Sequence, residues 1–371
     1  MNYVLALALT ILTLATFHGS WAINHVPTAE WSEYMQMYQK TYPNTAAEAL
    51  AQYYYAYNKR MIENHNNLFE RGQRTFKLKI NQFTDMRLVQ FNALFPSITP
   101  PTTSFAQPGP ETIEAPVSFA QPGPETIEAP VSFAQPGPET IEAPVSYNPS
   151  KNFGYMFSVE NQGTKCNSGW AYAAVKAIEI LQAQQDGDIN PPALSAQNII
   201  DCAGGARGCK SQSPQTAFDY LARYGMDLHT EGDYMNNNTQ TEPGMCVPRG
   251  PMITNLAQYS SIPDGDDESL KRFVAAGFPV VVEFNPASFE FMHYSEGIYR
   301  PSNSRSTGSH FMVVIGYDTD EESGKDYWIL LNSFDSTWGE QGIMRILRDS
   351  SIKLAKNAIF PSQLGKNPET P

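Results

Sequence analysis

The chain has 371 residues, 41% of them hydrophobic, enough to bury a core and to form two or three domains. Its 38 Asp and Glu against 25 Lys and Arg give a formal charge of −13 and a pI near 4.9. That balance repels phosphate backbones and argues against a nucleic-acid partner.

The first 22 residues, MNYVLALALTILTLATFHGSWA, hold an apolar run over 4–17 and then small residues at Ser20 and Ala22, the pattern of a cleavable signal peptide. The run is shorter than the ~20 residues that a membrane span needs. A secreted protein with no membrane anchor is therefore expected, with the lysosome as the alternative. Residues 28–68 read as two helices: Trp31, Tyr34 and Tyr38 recur at helical spacing, and Tyr55, Asn58, Ile62 and Asn66 mark a second face. FKLKI follows as a short strand, and Asn81-Gln82-Phe83-Thr84-Asp85 turns out of it. These elements make a small module over 23–98.

Residues 104–145 are three copies of SFAQPGPETIEAPV, within a proline-rich linker spanning 99–146. Proline locks φ, the glutamates repel one another, and one Phe, Ile and Val per copy bury too little to offset chain ordering. The copies read as an extended tether. Phe105, Phe119 and Phe133 are spaced so that a partner could use them as anchors.

Residues 147–371 change character along their length. Over 169–185 Ala171, Ala174, Val175, Ile178 and Leu181 predict a buried helix that Asp186-Gly187 ends, and a second helix covers 196–201. From about residue 253 short β runs follow: FPVVVEF, HFMVVIGY, DYWILLN and GIMRILR. A helical half thus precedes a β half, with a natural place for a site between them. Four cysteines, Cys166, Cys202, Cys209 and Cys246, suit an oxidising compartment, and their spacing leaves three pairings open. Asn237-Asn238-Thr239 is a sequon for glycosylation at Asn237.

The residues also resemble a family. Gln162-Gly163 followed by Cys166 and Trp170 is similar to the Q-G-x-C-G-S-C-W of papain-like cysteine peptidases. Leu194-Ser195 through Asp201-Cys202, Gly208-Cys209, the HFMVVIGY that His310 opens, and YWILLNSFDSTWGEQG resemble further motifs of that family. Tyr55, Asn58, Ile62 and Asn66, with Asn81, Phe83 and Asp85, resemble the inhibitory proregion of its cathepsin L-like branch; Ala47 and Ala51 depart from that pattern. The resemblance implies an α+β, papain-like two-domain fold, with a helical left domain and a β-barrel-like right domain behind a helical proregion. It implies the pairs Cys166–Cys209 and Cys202–Cys246, each closing a loop worth roughly 4 kcal/mol in the chain-entropy model. It also implies His310 as the imidazole of the site, Asn332 as the amide that orients it, and Gln162 as a donor of the oxyanion hole.

The position that matches the nucleophilic thiol is Gly169, since Cys166 to Trp170 keeps the family's spacing. Counting from Gln162 alone would put Ser168 there, and Cys166 itself could serve only by leaving Cys209 unpaired. On the substrate side Ser211 and Gln212 stand for two glycines, Phe311 for a small residue, and Phe334 for a tryptophan. The expectation is a secreted, catalytically silent homologue, without metal or cofactor, that binds a protein or peptide partner. Two alternatives stay open: a peptidase with an unexpected nucleophile, and a trans-inhibitor whose proregion occupies the cleft of an active papain-like peptidase.

Overall fold

The structure is a computed structural model and describes residues 26–98, 143–154, 157–224, 228–237, 239–247, 254–301 and 308–365. The leader at 1–22, two repeats and all but the end of the third lie outside the described residues.

Pro27 precedes helix α1 (Thr28–Met37), and the Asn44 side chain caps helix α2 (Thr45–Glu70) by accepting from Ala47 N. The two helices meet through aromatic rings: Trp31 stacks on Tyr34 at 5.5 Å and on Tyr42 at 5.9 Å, and meets Tyr55 edge-on at 5.6 Å. The asparagines of α2 have a structural purpose. Asn58 donates to the carbonyls of Thr84 and Met86, both at 2.8 Å, and Asn66 exchanges two 2.9 Å hydrogen bonds with the backbone of Leu78. They tie the helix to strand β1 (Phe76–Leu78) and to the turn beyond it. A short helix, α3 (Leu88–Asn92), follows.

In the later part, α4 (Gly169–Asp186) is buried along most of its length and ends where Gly187 takes a left-handed φ of 67°. Its buried Lys176 is neutralised by Glu160 and Glu179. Helix α5 (Ala196–Cys202) is capped by Ser195, whose hydroxyl accepts from Asn198 N at 3.0 Å. Two disulfides, Cys166–Cys209 and Cys202–Cys246, staple this half and use all four cysteines of the sequence, in the pairing that the resemblance implies.

The other half is a sheet. Its remaining strands are β2 (Leu256–Ser261), β3 (Val280–Phe284), β4 (Tyr294–Tyr299), β5 (His310–Thr319), β6 (Asp326–Leu331), β7 (Ile343–Leu347) and β8 (Ile359–Leu364). The order is β1-β4-β7-β6-β5-β3-β8-β2, antiparallel except for the β4–β7 pair. Helices α6 (Asp267–Ala275) and α7 (Phe289–Met292) complete the half.

The sequence pattern predicts β1, β3, β5, β6 and β7 and misses the strands β2, β4 and β8 and the helices α3, α6 and α7. Strand β2 is an edge strand with mostly exposed side chains, β4 carries Ser295, Glu296 and Gly297 in its middle, and β8 contains Pro361. Each lacks the alternation that marks a strand, and its neighbours supply the pairing instead.

Strand β1 comes from the N-terminal module, yet it completes the sheet, pairing Phe76 with Gly297 and Leu78 with Tyr294. Phe76, Leu78, Phe83, Phe91 and Phe95 share one core with Phe284, Phe291, Tyr294, Phe334 and Trp338. At about 1.5–3 kcal/mol per buried large side chain, this seam anchors the module firmly. Replacing Asn58 with Ala strands the buried Thr84 carbonyl and the half-buried Met86 carbonyl at its base. The variant should lose about 2–3 kcal/mol of stability, read as a lower denaturation midpoint of the full chain.

Candidate active site

Two neighbouring strands and one helix end build the site. His310 opens β5 and Asn332 follows β6, its antiparallel neighbour. Their side chains meet at 2.7 Å, His310 Nε2 donating to Asn332 Oδ1, which also accepts from Ser333 N at 2.8 Å. With the proton on Nε2, the lone pair of Nδ1 faces the start of α4. The residue there is Gly169. A Cβ built on it would lie 2.9 Å from Gln162 Oε1 and 3.0 Å from His310 Nδ1.

Gln162 has turned its oxygen towards this space, where Oε1 accepts from the Ser333 hydroxyl at 2.7 Å. The sequence reading overlooked Ser333, although it adjoins Asn332. Phe334 stacks on the imidazole with centroids 4.8 Å apart and 22° between planes, the shielding role expected of an aromatic there. Ser168 is buried, its hydroxyl donating to Cys166 O at 3.3 Å, and Cys166 is joined to Cys209.

Burial pushes the His310 imidazolium from its ordinary 6.5 down to about 4, against the hydrogen bond to Asn332, which acts in the opposite sense. At neutral pH the ring is therefore uncharged. A thiolate opposite would hold a proton on it; a bare Cα does not.

The cleft above the site is filled by the chain itself. Phe95 meets His310 edge-on at 5.0 Å, Ser309 N donates to Phe95 O at 3.2 Å, and Gln82 Nε2 donates to Phe334 O at 2.9 Å. The space left among Leu94, Phe95, Gly169, Trp170 and Ser211 is about 10 Å³, room for no more than one water. Gln212 is buried and donates to Arg207 O at 3.1 Å, and Phe311 lies 2% exposed in the core beside α4. Asn237 is exposed; its Oδ1 accepts from Thr239 N and hydroxyl, while Asn238 lies outside the described residues. No His, Cys, Asp and Glu cluster suited to a metal ion occurs among the described residues.

Residues 143–362 match the papain family cysteine protease model, and residues 31–91 match the cathepsin propeptide inhibitor domain. The chain belongs to the papain family. A cathepsin L-like peptidase of Aedes aegypti is 29% identical over 90% of this chain and 92% of its own length. Cathepsin J of Mus musculus is 30% identical over 95% and 98%. Digestive procathepsin L 3 of Tenebrio molitor larval midgut superposes with a TM-score of 0.70 at 27% identity, covering 90% of this chain and 98% of that one. The fold is papain-like, with a helical proregion seated on its cleft. Among the described residues no helix is long and apolar enough to cross a membrane.

A second histidine of this papain-family chain bears on pH. His293, wholly buried where the proregion meets β4 and 4.6 Å from the Phe289 ring, is pushed by burial down to about 3, against a contact with the Lys79 backbone. Both histidines have folded pKa values below the unfolded 6.5, so their neutral forms favour the fold fully above that pH. The advantage is lost as pH falls towards about 4 and about 3. Two protons taken up on unfolding weaken the fold by up to about 2.7 kcal/mol per pH unit in this window. Burial lowers His65 in the same direction, so denaturation midpoints measured between pH 6.5 and 4 should fall on acidification, and His293→Leu should make that fall shallower.

Proposed function

We propose that this papain-family protein is secreted, has no peptidase activity, and acts by binding a protein partner with its proregion still in place. The observation that carries the reading is the geometry at the start of α4: the Nδ1 lone pair of His310 faces the Cα of Gly169, and every cysteine is in a disulfide. Removing the nucleophile from a peptidase of this general type costs about 10⁶ in kcat, roughly 8 kcal/mol of barrier. The other candidate nucleophiles are committed elsewhere, Ser168 to the Cys166 carbonyl and Cys166 to Cys209. His310, Asn332 and Phe334 persist as a buried, hydrogen-bonded and stacked group that stabilises the β half.

A chain that cannot cut itself also has no means of its own to expel Leu94 and Phe95 from its cleft. The outer surface of the intact chain is then the natural binding face, and the leader read at 1–22 supplies the route of export. Trans-inhibition of an active relative has less support, because Phe76, Leu78, Phe83, Phe91 and Phe95 are already buried against the chain's own β half.

Cleave the spacer with a serine peptidase, quench that peptidase, and supply fluorogenic peptides. Turnover should be absent, and mass spectrometry should find no acyl adduct on the protein. An adduct, or turnover that survives the quench, overturns the reading. The Gly169→Cys variant should recover less than about one thousandth of the activity of an active relative, since its Cβ must first displace Gln162 and His310.

A further inference from the structure

The proregion presents a groove that the site does not use. Between α2 and α3 a cavity of about 450 Å³ is walled by Tyr54, Tyr57, Met61, Arg87, Val89 and Phe289. Its apolar residues are open to solvent: Tyr57 is 41%, Met61 37% and Val89 59% exposed. Two guanidiniums rest on its rings, Arg87 over Tyr54 at 5.7 Å and Arg60 over Tyr57 at 5.8 Å. Neither forms an ion pair among the described residues. In a chain of net charge −13, residues 26–98 hold eight Lys and Arg against six Asp and Glu.

The complementary surface is in the same sequence. Residues 99–146 carry six glutamates and no basic residue. Wound as polyproline II, at three residues per turn, the first repeat would align Pro110, Ile113 and Pro116 along one edge and Glu111 and Glu114 along the next. That pattern fits an aromatic floor, the kind that reads proline-rich strands, beside arginines, the groups that read acidic motifs.

The described end of the third repeat makes such a contact already. Tyr317 Oη donates to the Pro144 carbonyl at 2.9 Å, and Lys271 and Arg348 each lie over the Tyr317 ring at 5.2 Å. A tyrosine bearing stacked cations thus hydrogen-bonds the Pro144 carbonyl at the far end of the spacer. The tyrosine and arginine groove on the proregion offers the same chemistry at the near end. From Ile98, twelve residues reach Pro110, spanning up to about 37 Å at 3.1 Å per residue.

We propose that residues 110–116 of the first repeat dock in cis on the Tyr54/Tyr57/Arg87 groove, so that the spacer clamps the proregion to the β half. The proposal does not depend on whether the site hydrolyses peptides. The three repeats are identical, so they serve as internal controls. A glutamyl-specific peptidase acting briefly on the intact chain should cut after Glu111 and Glu114 at least about tenfold more slowly than after Glu125 and Glu128, as read from fragment masses. Tyr57→Ala and Arg87→Glu should each bring these rates together, and 0.5 M salt, on the order of a 4 Å screening length, should do so in part. Equal rates in all copies of the native chain overturn the proposal, as does protection that survives both substitutions. Protection that vanishes on dilution assigns the groove to a second copy of the chain and overturns docking in cis. Should either variant fold poorly, a fluorescent SFAQPGPETIEAPV peptide replaces it. It should bind a chain whose spacer is an equal length of Gly and Ser, and bind the native chain about tenfold more weakly because the groove is filled. No binding to the Gly/Ser chain, or equal binding to both, counts against the proposal.

Discussion

The structure depends on a line of aromatic rings that runs from the proregion into the cleft. Phe83, Phe91 and Phe95 pack on Phe334, with centroids 5.1, 6.4 and 5.7 Å away, and Phe334 in turn stacks on His310. Because these rings are buried together, the proregion is a part of the core rather than a cover laid over it.

That seam explains the state of the site. Excluding water raises the cost of charge on His310, and with no thiolate opposite only the weaker hydrogen bond to Asn332 offsets it, so the ring is neutral and serves as a hydrogen-bonded wedge. Gln162 answers the same vacancy differently. In place of an attacking group it finds room for its own Oε1, held there by Ser333, and the space contracts to the volume of one water. A scaffold arranged for acyl transfer and a scaffold arranged for stability differ here by few atoms.

The buried ions obey the same economy. Lys176 is deep inside the helical half, yet Glu160 and Glu179 stand beside it and Ser158 accepts from its ammonium at 2.9 Å. Asp85 in the proregion is likewise ringed, by Lys40 and by the hydroxyls of Tyr34 and Tyr42. Such groups hold registry between elements, since removing one partner would leave an uncompensated charge.

Periodicity alone determined the long buried helix at Gly169–Asp186, the two proregion helices and the strands with continuous apolar runs, because each of these buries a face that its own residues spell out. The resemblance to papain-like motifs likewise implied that Gly169, His310, Asn332 and Gln162 share one site, which their residues alone did not show. Only the tertiary structure decided the rest. Tyr294–Tyr299 is a strand because Phe76–Leu78 and Ile343–Leu347 flank it, and its own side chains carry little signal. The role of Phe95 over His310, the turn of Gln162 towards Ser333, and the tyrosine groove of the proregion all arise between residues far apart in the chain. Contacts of that kind depend on which surfaces burial brings together, and local pattern does not record them.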